Sequence, residues 1–362
     1  MFFVKISNYF LLDVTGSVKD WFNLKKNYYF SGVYQGLVKK YTVRKYQKSD
    51  YALWNDFIHQ AKNATFLFHR DFMEYHADRF EDFSLLVFKD ESLIAVLPAN
   101  IRDGSVFSHQ GLTFGGVVTS GKAKLKTTLL AFKMILEFLN QSDIKKLYVK
   151  EFPFFYTGKL SDELNYLLFL TEAKLYRRDL LSVLDLSQEI KLSKDRKEGV
   201  KRGLKSGLEI EETQSFAEFW NEILIPNLSQ KHNVSPVHSL EEITFLKSKF
   251  PKNIRQFNVY HQGKIVAGTT IFETDCVAHS QYISSNINKN ELGSLDFLHH
   301  KLISEVFSGK KYFDFGISNE NQGRNINEGL QYWKETFGCG LVTQDFYEVD
   351  TANHSLLENV LL

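Results

Sequence analysis

Cysteine is nearly absent from this chain. The two thiols in 362 residues, Cys276 and Cys339, build neither a disulfide framework nor a zinc knuckle, and such thiol poverty suits a reducing cytoplasm. Charge of one sign is also missing. Forty-four Lys and Arg stand against 43 Asp and Glu, which removes any bulk argument for nucleic acid or an anionic membrane as partner. No apolar run reaches membrane-spanning length. The opening stretch MFFVKISNYFLLDV is interrupted by Lys5, Asn8 and Asp13 and lacks a small-residue cleavage site, so it makes a poor signal peptide. The expectation is a soluble cytoplasmic protein. What the chain has instead is apolar and aromatic mass: 43% hydrophobic and 15% aromatic residues, enough for two cores of ordinary size.

The chain also repeats itself. Trp54-Asn55-Asp56-Phe57-Ile58 returns as Trp220-Asn221-Glu222-Ile223-Leu224, and Val87-Phe88 through Ala95 returns as Val259-Tyr260 through Ala267. Lys145-Lys146-Leu147-Tyr148 returns as Lys310-Lys311-Tyr312-Phe313, and Leu184-Asp185 as Val349-Asp350. Four ordered matches at offsets of 165 to 172 residues describe a tandem duplication of a domain-sized unit. A cleft between two such domains is the first place to look for a site. Residues 1–40 stand outside the repeat; they are aromatic-rich and read as a cover over the first domain or a homodimer contact.

Each unit reads in the same order. A short strand (41–45; 208–212) precedes a helix (51–61; 216–228) entered through residues that suit an N-cap. Three strands in a meander follow (84–89, 93–101, 105–109; 255–260, 264–272, 276–284). Then come an amphipathic helix (125–139; 294–307), a strand (146–150; 311–317) and a last extended stretch (176–186; 341–349). That order makes a mixed α/β fold around a largely antiparallel sheet, flanked by helices, and excludes the alternating pattern of a doubly wound fold.

This layout resembles that of the GNAT acyltransferase fold. The segments AHSQYISSN (278–286), ELGSLDFLHHKLISEVF (291–307) and KYFDFGISNENQGRNINEGLQYWKETFG (311–338) resemble the GNAT-like domains of the FemABX group and their single-chain bacterial relatives. The connector 184–212 resembles the segment that joins the two domains in FemABX proteins, and residues 69–82 and 97–116 are similar in the first half. The organisation expected is a first GNAT-like domain over 41–186 on the acceptor side and a basic helical connector over 187–205. A second domain over 206–350 follows on the acyl-CoA side, then a tail over 351–362. The resemblance implies an N-acyltransferase in which an amine attacks the thioester of acyl-CoA directly. It holds no tightly bound cofactor, and the implied acceptor is a dTDP-linked amino sugar. Two alternatives stay open: an aminoacyl-tRNA-dependent transferase acting on a cell-wall precursor, and a non-catalytic GNAT-like binding module.

On that resemblance, Asn290, Glu291, Leu292, Gly293 and Ser294 occupy the place of the pyrophosphate loop. There a helix N-terminus offers free N–H groups and a glycine admits a phosphate. The loop has one glycine, and Leu295 replaces the last small residue of the family pattern. Backbone N–H groups near Tyr282 to Ser284 would stabilise the oxyanion. In the first repeat, Gln110, Thr113 and Gly115 form a longer loop suited to the acceptor. Tyr75 and Arg79 share a helix face and could stack a base and hold a diphosphate; the plainer reading is a core Tyr and an Arg paired with Glu81 or Asp82. His109 and His279, read as equivalent strand ends, are candidate general bases. Asp314, on a strand otherwise apolar, competes with them, since its surroundings could raise its pKa. The polar loop 319–327 supplies Asn321 to the donor and Arg324 to the acceptor. Arg196, Lys197, Lys201, Arg202 and Lys205 form the one basic cluster, most simply a solvated helix face. His299-His300 invites a metal reading, but neighbours on a helix do not face each other, and no metal is expected.

Overall fold

The computed structural model describes residues 41–232 and 234–362; the aromatic segment 1–40 lies outside them. The strands of the first half are β1 (Tyr41–Lys45), β2 (Glu81–Asp82), β3 (Leu85–Lys89), β4 (Ser92–Leu97), β5 (Asn100–Arg102), β6 (Ser105–Phe107), β7 (Val118–Thr119), β8 (Lys146–Lys150) and β9 (Lys174–Asp185). Those of the second half are β10 (Glu209–Thr213), β11 (Ile254–His261), β12 (Lys264–Glu273), β13 (Val277–Ser285), β14 (Tyr312–Ile317), β15 (Asn319–Glu320), β16 (Asn325–Ile326) and β17 (Gly340–Asp350). Helices Leu125–Gln141 and Ser294–Lys301 hold the expected amphipathic positions.

The two halves are built alike. Val87 pairs with Ala95 across β3 and β4, and Val259 pairs with Ala267 across β11 and β12; each pair is followed at once by a register shift. A β-bulge kept at the same place in both copies marks them as the same hairpin. Trp54 and Trp220 are both fully buried, and their indole N–H groups donate to the carbonyls of Phe68 and His238 at 2.8 and 3.2 Å.

Two departures have local causes. The strand expected over 93–101 breaks at Pro98, which has no N–H to give a ladder. β4 therefore stays in a four-stranded sheet ordered β1-β3-β4-β7, and β5 joins a larger one. In the second half, the helix expected over 216–228 opens into a π segment, Phe219–Leu224, just before Pro226, where a helical hydrogen bond is necessarily lost.

The larger sheet has eleven strands in the order β10-β11-β12-β13-β14-β9-β17-β8-β6-β5-β2. In it the halves exchange their last strands. β9, from the first half, lies antiparallel to β14 of the second; β17, from the second, lies antiparallel to β8 of the first. β9 and β17 pair with each other along nearly their whole length. The C-terminal tail follows β17 across, so that Leu357 is buried in the first half's core.

Helix Ser294–Lys301 buries His299 among aromatic rings, 5.2 Å from both Phe315 and Trp333. Its Nδ1–H donates to the Leu295 carbonyl at 2.9 Å, and Nε2 has no partner among the described residues. Burial pushes its pKa down to about 4. The unfolded chain, with a histidine pKa near 6.5, therefore binds a proton that the folded one refuses between about pH 6.5 and 4. Stability should fall as pH drops through that window, with His299 responsible for on the order of 3 kcal/mol. Urea titrations at pH 7 and pH 4.5 should give a smaller loss for His299→Phe than for the wild type; equal losses would refute this.

Candidate active site

β13 and β14 run parallel, but they are paired only from Val277 to His279 against Tyr312 to Asp314. Beyond that point β13 keeps to β12 and β14 follows β9, so the two strands part in a wedge. β6 and β8 do the same in the first half after Phe107 and Tyr148. Both wedges open on one cavity of about 650 Å³, within the range of small-molecule sites. The first half contributes Ser108, His109, Gln110, Thr113 and Lys150; the second contributes His279, Ser280, Gln281 and Gly316; the exchanged strands contribute Arg177, Asp179, Gln344 and Phe346.

At the apex of the second wedge, Asp314 is buried and accepts three hydrogen bonds. They come from His279 Nδ1 (2.9 Å), the Tyr156 hydroxyl (2.7 Å) and the Gly316 N–H (2.7 Å). The sequence suggested a raised pKa, and the structure corrects this. Burial does push the carboxyl up, but the His279 ring, the Tyr156 hydroxyl and the Gly316 N–H outweigh it and hold the pKa below the ordinary value. Asp314 is thus an ionised anchor, not a proton acceptor at neutral pH. It fixes the His279 tautomer with the proton on Nδ1. Nε2 is then left as a proton acceptor, without a hydrogen-bond partner among the described residues, on a ring that lines the cavity.

His109 lines the same cavity but is not the counterpart of His279. The pairs Val106–Leu147 and Phe107–Tyr148 match Val277–Tyr312 and Ala278–Phe313. The next step matches Ser108 to His279 and Val149 to Asp314, so the first half carries no such dyad. His109 sits one residue further, in the left-handed region at φ 69°, a conformation uncommon for a non-glycine residue. Its ring packs 5.2 Å from His76, and its Nδ1 has no partner among the described residues. Burial, helped by His76, pushes its pKa well below the ordinary value. It is a neutral ring available for hydrogen bonding and a weak base.

No known family profile matches the chain, and no curated protein does. Solved structures do match. FemX superposes with a TM-score of 0.60 at 9% identity, over 84% of this chain and 96% of that one. The C-terminal domain of a putative lysylphosphatidylglycerol synthetase from Agrobacterium fabrum gives 0.57 at 16% identity, over 85% and 94%. A conserved protein of unknown function from Bacteroides thetaiotaomicron gives 0.55 at 9%, over 86% and 100%. The chain has a FemX-like fold, built from two similar halves. These likenesses concern the fold and do not extend to a nucleotide-sugar acceptor.

Within the FemX-like fold, the other sequence-predicted residues separate into groups. Gln110 and Thr113 are at the cavity, with Gln110 fastened to Asn100 by two hydrogen bonds. Gly115 serves a chain crossing, because a Cβ there would come within 1.8 Å of the Ser108 carbonyl. Tyr75 and Arg79 do not line the cavity. The guanidinium lies over the Tyr75 ring and pairs with Glu242 at 2.5 Å, joining the halves elsewhere, and not with Glu81 or Asp82. Asn321 and Arg324 are exposed in the loop between β15 and β16, whose Gln322 reaches the cavity.

The residues expected to hold the donor lie apart. Asn290 and Glu291 are exposed; Leu292 and Ser294 are buried. Gly293, at φ 68°, lies against the connector helix Lys194–Lys205, and a Cβ there would come within 2.1 Å of the Gly199 carbonyl. Arg196 of that helix bonds Asp296, which also accepts from the Trp333 indole at 2.9 Å. A carboxylate therefore already occupies the positive end of helix Ser294–Lys301. Gly293 is accounted for by helix packing, and a side chain there would probe that contact before any phosphate. The Tyr282 hydroxyl bonds His238, and the Ser284 hydroxyl bonds Asn227; neither side chain lines the cavity.

Lys150, Ser280 and Gln281 escaped sequence reasoning. A lysine ending the strand KLYVK looks solvated, and only the wedge turns it inward.

Proposed function

We propose that the chain is an N-acyltransferase in which an amine held in the central cavity attacks an activated acyl group directly. The carrying observation is the His279–Asp314 pair at the apex of the wedge, on a ring that lines the cavity and whose Nε2 has no hydrogen-bond partner among the described residues. An amine must lose a proton to become acylated. His279 Nε2 takes that proton, and ionised Asp314 stabilises the resulting imidazolium. The tetrahedral oxyanion would accept from backbone N–H groups on the edge of β13 that parts from β14. No thiol takes part: Cys276 and Cys339 are not at the cavity, and burial raises the Cys339 pKa.

The donor and acceptor we assign are acyl-CoA and an amine on a nucleotide sugar, a reading that rests on the sequence resemblance. One observation favours a second donor. The helix N-terminus at Gly293 is covered by the connector and matched by Asp296, so no open diphosphate cradle lies there. An aminoacyl ester on tRNA would need none. Incubating the protein with acetyl-CoA and an amine panel, and separately with charged tRNA, decides between them. Amine-dependent thiol release supports the first, and amine-dependent deacylation the second. If neither donor is consumed, the transfer reading falls and a binding module is left.

A further inference from the structure

Lys150 ends β8 at the cavity, facing the space that His279 borders from β13. Its ammonium carries three donors. Among the described residues it has one hydrogen-bond acceptor, the Leu112 carbonyl, and no ion-pair partner. Asp179 is nearby, but its two oxygens take the Arg177 fork at 3.0 and 2.7 Å. The charged side chains lining the cavity therefore sum to one uncompensated cation. Burial and the neighbouring Arg177 push the Lys150 pKa down to about 8, as expected of an ammonium short of a counter-ion. Three residues that line the cavity also hold buried side-chain atoms without a partner among the described residues, His109 Nδ1, Ser280 Oγ and Gln281 Oε1. Buried polar atoms are otherwise almost always satisfied. The Lys150 ammonium, without an ion pair among the described residues, suits this wall to a ligand that is negative at that end.

We propose that Lys150 seats an anionic group, a carboxylate or a phosphate, carried by the amine substrate. This rests on the acyl-transfer reading of the cavity. The amine lies toward His279 Nε2 and the anion on Lys150, so the cavity selects substrates that carry both. A charge-assisted hydrogen bond in a partly desolvated site discriminates strongly against a neutral analogue, which leaves the ammonium unpaired.

Amines in matched pairs test this: amino acids against their amides, and aminoalkyl phosphates against the corresponding amino alcohols. The wild type should show kcat/KM at least about tenfold higher for the anionic member of one series, and the series names the anion. In Lys150→Met the ratio should collapse toward one; in Lys150→Arg it should survive. Thermal melts check that both variants fold. A ratio near one in the wild type, or an unchanged ratio in Lys150→Met, overturns the proposal. If no amine is acylated, the same pairs are titrated calorimetrically into wild type and Lys150→Met. Binding that depends on the anion and on Lys150 upholds the anion seat while the transfer reading falls. Binding that is absent, or indifferent to either, overturns the seat.

Discussion

Asp314→Asn is expected to lower kcat/KM by roughly two to four orders of magnitude while the protein stays folded. The carboxylate fixes which nitrogen of His279 carries the proton. An amide in its place can present an N–H to Nδ1, which turns that nitrogen into an acceptor and moves the proton to Nε2, the proposed base. The base would then be in the wrong tautomer. His279→Gln should cost about as much, and the double variant little more, because the two side chains act as one unit. Losses that add across the pair would break this account, as would an Asp314→Asn enzyme with near-normal rates. Stability provides a second readout. Since the folded pKa of Asp314 is lowered, its contribution is present above the unfolded value near pH 4 and is lost as pH falls through the folded one. The stability gap between wild type and Asp314→Asn should therefore be widest near neutrality and close in acid.

The duplication was legible because its markers are local. A tryptophan on a helical segment and, after it, a hairpin with its bulge recur in the same order in both copies. The exchange of β9 and β17 was not legible, since alternation along a strand says which face is buried and nothing about which strand lies alongside. The pairing of His109 with His279 failed by one residue for a related reason. Two histidines near two strand ends look equivalent until the ladder is counted, and the ladder selects Ser108. Asp314 was misjudged because its apolar neighbours Tyr312, Phe313 and Phe315 are adjacent in sequence, whereas Tyr156, which helps to keep it ionised, is 158 residues away. Gly293 had two sufficient explanations, a phosphate or a helix crossing, and sequence cannot separate them. Only the position of Gly199 supplies the second.

The exchange also predicts how the protein unfolds. Trp220→Ala should lower stability by about 3–5 kcal/mol, and Trp54→Ala by a similar amount, because each empties a fully buried aromatic site and strands a backbone carbonyl. The location of the loss is the stronger test. Trp54 and Trp220 belong to one continuous core in which Phe66 meets Phe250 at 5.2 Å and Phe72 meets Phe272 at 5.9 Å. Each half also lends its last strand to the other's sheet, so removing either half exposes the edges of β8 or β14 and part of that shared core. Neither half then has an independent folded state, and residues 41–362 should melt as one unit. Guanidinium titrations followed by far-UV circular dichroism and by tryptophan fluorescence should give one coincident transition in the wild type, shifted whole by either substitution. Two transitions, with Trp54→Ala moving one and Trp220→Ala the other, would mean that the halves are separable and that the exchanged strands do not couple them. Such decoupling would also bear on the cavity, since its walls come from both halves and its middle from β9 and β17.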